Sequence, residues 1–163
     1  MVESTTYLKG IDQNFLKDAV FGIIAGIAFI FINILAPTIA IGVPTALAFY
    51  GVSVFAIIIA PVAEEFVFRG VVPALLQRIS PAKVFLFSAV ISAIIFGFFH
   101  YFVYGLANIQ AISAPLIGAI IFGLAMAYLV KYTNSLLPAI IAHMIFNAWI
   151  LRSSYLAIGI PAT

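Results

Sequence analysis

Long apolar runs alternate along the chain with short clusters of proline, glycine, asparagine and charged residues. The first run extends from about Val20 to Ala36. Beyond Pro37, Gly42 and Pro44, a second begins at Thr45, passes through Pro61, Glu64, Glu65 and Arg69, and ends at Arg78. With no polar break to divide it, 45–78 is expected to form one long helix kinked at its prolines, because proline removes a backbone donor inside a helix. Ser80 and Pro81 have the form of an N-cap followed by proline at the first helical position, and predict a third helix over 82–103. Gly105 to Ser113 leads to a fourth, opened by Pro115 and closed at Lys131; the Asn134-Ser135 turn and Pro138 open a fifth, ending near Leu151. A helix needs ~20 residues to cross the hydrocarbon core. The pattern therefore predicts an all-α polytopic membrane helix bundle with about five transmembrane helices, or six if the second run divides at Pro61 or Pro73.

Composition agrees: the 163 residues are 66% hydrophobic and 7% charged, with a mean hydropathy of +1.28, against roughly 25% charged in a soluble domain. Five or six spans would use nearly all of this length, so a single membrane domain is expected over 1–163, with no soluble module. A signal peptide is a competing reading of the first run, but the run is long for an h-region and no A-x-A site follows it. The net charge of +2 is scattered and forms no basic run to track phosphates, so nucleic acid is not an expected partner. The absence of cysteine excludes a disulfide framework, a thiolate nucleophile and a cysteine-ligated metal. With five helices, Lys9, Lys17, Arg78, Lys83 and Lys131 fall on one side and Arg152 on the other. The positive-inside rule then predicts a multi-pass protein of the cell membrane with a cytoplasmic amino terminus and an external carboxyl terminus. Gly22 and Gly26 are spaced for close packing between helices.

The polar residues inside the apolar runs carry the chemistry. Glu3, Asp12 and Asp18 lie at or before the first run, whereas Glu64 and Glu65 lie deep within the second. A charge at mid-membrane costs at least ~2.5 kcal/mol, so such groups face a protein interior or a water-filled cavity. Neighbouring helical residues point about 100° apart, which predicts different jobs for the two carboxylates. Glu65 and Arg69 have the i, i+4 spacing and orientation of an ion pair, a buried pair fixing helix geometry; Glu64 is left with no local partner. Both histidines of the chain, His100 and His143, also fall in apolar runs, and His143 shares a helical face with Asn147. Singly, a membrane histidine or asparagine is expected to be interhelical glue. As a set, Glu64, His100, His143 and Asn147 can converge on one site. There a carboxylate kept from water can act as a general base, and two donors on one face can stabilise negative charge developing in a dry pocket.

Glu64-Glu65-Phe66-Val67-Phe68-Arg69 resembles an E-E-x-x-x-R motif, Phe96-Gly97-Phe98-Phe99-His100 an F-x-x-x-H motif, and His143-Met144-Ile145-Phe146-Asn147 an H-x-x-x-N motif. In this order the three resemble the signatures of the CPBP (Abi) family of type II CAAX prenyl endopeptidases and bacteriocin-processing or immunity proteins. The resemblance covers about residues 57–151 and is that of a minimal member, since larger ones have more spans. Pro73, four residues after Arg69, is expected to shorten the helix. The resemblance implies an intramembrane endopeptidase in which Glu64 with His100 activates a water for attack on a peptide carbonyl. It further implies that His143 and Asn147 form the oxyanion hole and that Glu65 and Arg69 are supports. The implied partners are the lipid bilayer and a membrane-associated peptide or prenylated protein; no cofactor is required.

Three other readings use the same residues. A zinc site could be built from Glu64, His100 and His143, although no H-E-x-x-H pair is present and asparagine is a poor zinc ligand. A proton-coupled transporter could use Glu and His within the membrane, but lacks relay groups crossing it. A non-catalytic bacteriocin-immunity or peptide-binding membrane protein would keep the fold without the reaction.

Overall fold

A computed structural model describes residues 15–35, 55–79, 84–104 and 113–157. Among the described residues every element is helical. They form α1 (Phe15–Leu35), α2 (55–79), α3 (Val84–Tyr104), α4 (Ser113–Thr133) and α5 (Leu137–Ala157). The first helix begins five residues before the apolar run does, and the last continues one and a half turns past Leu151. Pro138 occupies the first turn of α5, where its missing N–H costs nothing. Asn134 takes a φ of 57° in the α4–α5 turn, a left-handed conformation that asparagine tolerates. The proposed cap at Ser80-Pro81 and the start of the second run, 45–54, lie outside the described residues, as do Lys9 and Lys83.

The two prolines of α2 neither divide it nor end it. The helix instead widens to π-helical turns at Phe55–Ile59 and Phe66–Val71, which alternate with α-helical segments at Ala60–Glu65 and Val72–Ile79. At the second widening, the Val72 N–H reaches the Val67 carbonyl, five residues back. In an unbroken α-helix the Pro73 ring would meet the carbonyl of Arg69 and leave it without a donor. Inserting one residue into the turn relieves that clash, so the helix continues to Ile79 and is not shortened.

Two helix pairs frame α2: α1 packs along α5, and α3 packs along α4. The α1–α5 seam is close because Gly22 and Gly26 form it. A Cβ on Gly22 would stand 2.7 Å from the Pro138 carbonyl oxygen, and one on Gly26 would stand 2.9 Å from Ile145 Cβ. Inside the frame Phe122 stacks on Phe96 and Phe146, and Phe29 of α1 meets it edge-on with ring centroids 4.9 Å apart. The interior also takes in Glu65, Arg69, Ser92 and His143, while large apolar side chains such as Ile24, Phe31 and Phe102 point outward. Among the described residues two stretches are long and apolar enough to cross a membrane, Phe85–Phe102 in α3 and Leu116–Thr133 in α4; Leu137–Arg152 in α5 is a shorter apolar stretch. One end of the bundle gathers basic residues. Phe21, beneath the Lys17 ammonium, packs edge-on against Tyr132, and Lys131 sits 3.9 Å over the Phe85 ring.

Candidate active site

The site is assembled on the α-helical segment of α2 between its two wide turns. Glu65 is fully buried, and its Oε2 stands 3.1 Å from Arg69 Nε, one turn along. Its other oxygen, Oε1, is 2.8 Å from Nδ1 of His143 on α5. Facing a carboxylate that already neutralises a guanidinium, Nδ1 is the donor. That orients the ring and turns Nε2 toward Glu64, whose Oε2 lies 3.7 Å away. From α3, His100 donates Nδ1–H to the Phe96 carbonyl at 3.1 Å, the bond of a helical residue to the turn before it. Its Nε2 is also 3.7 Å from Glu64 Oε2. Glu64, which has no local partner in the sequence, is thus flanked by both imidazoles. These separations exceed a direct hydrogen bond and are of the kind a shared water bridges.

Asn147 lies one turn beyond His143, and its Nδ2 donates to the Ala56 carbonyl of α2 at 2.9 Å. Glu64, Glu65, Arg69, His100 and His143 therefore form one contiguous cluster. Asn147 joins it from the side by holding the backbone two turns before Glu64, and its amide nitrogen has a second N–H beyond the one given to Ala56.

Two supporting groups, the Gly123 carbonyl and Ser92, lie outside the motifs, and Phe96 of the F-x-x-x-H motif takes a role that the motif did not announce. The guanidinium of Arg69 sits 4.4 Å over the Phe96 ring, and its Nη2 donates to the Gly123 carbonyl of α4 at 3.3 Å. A Cβ on Gly123 would come within 3.1 Å of the Ala93 backbone, so glycine lets α3 and α4 approach and delivers that carbonyl. Nη1 of Arg69 has no protein partner; Arg69 lines a cavity of about 10 Å³ with Pro73, Phe85 and Ser88, the room of about one water. Ser92 Oγ donates to the Phe68 carbonyl of α2. Ser92, Phe96 and His100 follow one another at intervals of four, so the available signal was a shared helical face with His100.

A zinc site would draw on the same residues. Among the described residues, no group of three or more His, Asp or Glu is placed to hold a metal ion. Nδ1 of each histidine is engaged, which leaves both Nε2 atoms facing Glu64 Oε2 at 3.7 Å.

The family model described as Type II CAAX prenyl endopeptidase Rce1-like matches residues 45–149, well over half of the chain. The chain belongs to this family. Membership in the Rce1-like group agrees with the resemblance carried by the three motifs, all of which fall inside the matched residues. The family is one of membrane-embedded, CAAX-type proteases acting on prenylated proteins, which accords with an apolar helical chain. No curated protein and no solved structure matches the chain.

Proposed function

We propose that this protein is an intramembrane endopeptidase that cleaves near the carboxyl terminus of a prenylated, membrane-associated protein, using Glu64 as general base. The observation that carries the reading is the position of Glu64 Oε2, 3.7 Å from Nε2 of both His100 and His143 inside an apolar bundle. A water held between Glu64 and His100 attacks the scissile carbonyl carbon and gives its proton to Glu64. The carbonyl oxygen takes up the electron pair and is met by Nε2 of His143 and the second N–H of Asn147. As the C–N bond breaks, Glu64 returns the proton to the departing amine, leaving a carboxylic acid and an amine, which ionise to a carboxylate and an ammonium.

His143 donates from Nε2 only as an imidazolium, since Nδ1 already donates to Glu65. In that form the charges of Glu64, Glu65, Arg69 and His143 sum to zero, the arrangement a low-dielectric interior favours. No step requires a metal. All five helices cross the cell membrane in this reading, with Lys17, Arg78 and Lys131 at the cytoplasmic face and the carboxyl terminus outside.

The test is cleavage of a farnesylated reporter peptide by protein purified in detergent. Glu64→Gln keeps the shape of the side chain and removes the base, so the rate should fall by about 10²- to 10⁴-fold while the protein still folds and binds peptide. A chelator should leave the parent rate unchanged. Full activity in Glu64→Gln would overturn the assignment of the base, and loss of activity to the chelator that zinc restores would overturn the metal-free route.

A further inference from the structure

Each wide turn of α2 has a proline five residues after the carbonyl that a neighbouring helix caps. In a π-helical turn the carbonyl of residue i is the partner of the N–H of residue i+5. For Ala56 that position is Pro61, and for Phe68 it is Pro73; neither has an N–H to give. The α-helical alternative is also closed at Phe68, because the Val72 N–H is committed to Val67. Inside a membrane protein no bulk water is at hand to take such a carbonyl, so another donor must reach it. Asn147 of α5 reaches Ala56, and Ser92 of α3 reaches Phe68. Asn147 already has a place in the proposed chemistry. Ser92 has none, is buried, and donates to a backbone carbonyl.

We infer that Ser92 is a positioning residue of the active site, which locks the Pro73 wide turn of α2 and thereby sets the helical phase of Arg69 relative to Glu64 and Glu65; this role rests on the peptidase reading above. Phe68 directly precedes Arg69, so the bond from Ser92 fixes the backbone beside the guanidinium. Arg69 holds Glu65, Glu65 holds Nδ1 of His143, and His143 presents Nε2 to Glu64. A slip of one residue in the wide turn would rotate Arg69 by about 100° away from Glu65 and break this chain at its first link. Pro73 is therefore the reason the turn is wide, and Ser92 the reason it stays in one register.

The experiment is a cycle over Ser92→Ala, Ser92→Thr, Pro73→Ala and Ser92→Ala/Pro73→Ala, reading kcat and KM on the farnesylated reporter together with Tm in detergent. Ser92→Ala should lower kcat about tenfold, the scale of one lost hydrogen bond, with KM within about twofold, and should lower Tm. Ser92→Thr keeps the hydroxyl and should restore both. Pro73→Ala supplies a backbone N–H for the Phe68 carbonyl or frees that of Val72, so adding Ser92→Ala to it should lower Tm by much less than Ser92→Ala does alone. A parent-like kcat in Ser92→Ala, or an equal Tm loss with and without Pro73, overturns the proposal. If Glu64→Gln cleaves as fast as the parent, the peptidase assignment fails instead, while the Tm cycle still reads the coupling of Ser92 to Pro73.

Discussion

The seam between α1 and α5 and the seams around α2 are built on opposite principles. The α1–α5 seam is apolar where its two glycines form it: they bring α1 against Pro138, Ile141 and Ile145 at contact distance, and dispersion between closely packed helices holds it. Around α2 the prolines spoil the backbone ladder, and the helix is tied to its neighbours by individual polar bonds. His143 meets Glu65, Arg69 meets the Gly123 carbonyl, Ser92 meets Phe68 and Asn147 meets Ala56. A regular helix needs only shape to find its place, whereas an irregular one needs donors of the right chemistry at defined points. The irregular helix is the one that carries Glu64, Glu65 and Arg69, and wide turns of this kind are common at functional sites.

The largest break in that contrast should come from Arg69→Ala. It leaves Glu65 as a buried carboxylate without its cation, which for a buried pair costs roughly 3–5 kcal/mol. Tm should drop and cleavage should be lost. Adding Glu65→Gln removes the stranded charge, so Tm should partly recover while activity stays low, because Arg69 no longer fixes the side chain that orients His143. An Arg69→Ala variant that melts like the parent would mean that polar bonds do not hold α2.

Gly22→Ala tests the apolar seam. The new methyl would meet the Pro138 carbonyl and the Ile141 Cβ, each at 2.7 Å, and backbone cannot yield as a side-chain tip can. Overpacking of this kind costs about 1–3 kcal/mol. Because the nearest neighbours of Gly22 are Pro138 and Ile141 and not a residue of the site, Tm should fall with KM and kcat little changed in the protein that remains folded. A selective loss of kcat would tie α1 to the site and erase the distinction between the seams.

The smallest stability effect is expected for Asn147→Ala, about 1 kcal/mol, since the Ala56 carbonyl is left without its donor in a half-buried place. Its kinetic effect sharpens the comparison. A rate loss well beyond what the Tm change accounts for would mean that Asn147 also meets the oxyanion, and a loss in proportion to it would make Asn147 a clamp alone.

Much of this was legible in the chain. Apolar runs longer than a soluble helix needs, and turn signals at Asn134-Ser135 and Pro138, follow from local rules that do not depend on neighbours, so helical class and approximate bounds could be read directly. The i, i+4 spacing paired Glu65 with Arg69 because both lie on one helix, and the separation of Glu64 from Glu65 in angle follows from helical geometry alone. Pro61 and Pro73 announced a disturbed helix, but not its form. A proline can end a helix, bend it or widen it, and which of these is cheapest depends on whether a neighbour can supply the missing donor.

That choice belonged to the tertiary structure. Ser92, one of two serines in the apolar run of α3, became a backbone donor only when α3 was laid against the Pro73 turn, and the Gly123 carbonyl became a partner for Arg69 only when α3 and α4 came close enough. The spacing along the chain could offer Glu64, His100 and His143 as candidates, yet their meeting at a common 3.7 Å depended on three helices and their rotations. Local sequence determines periodicity, donors and breaks, because these act over one or two turns. Long-range packing decides which orphaned group meets which donor, because that is a property of where helices cross.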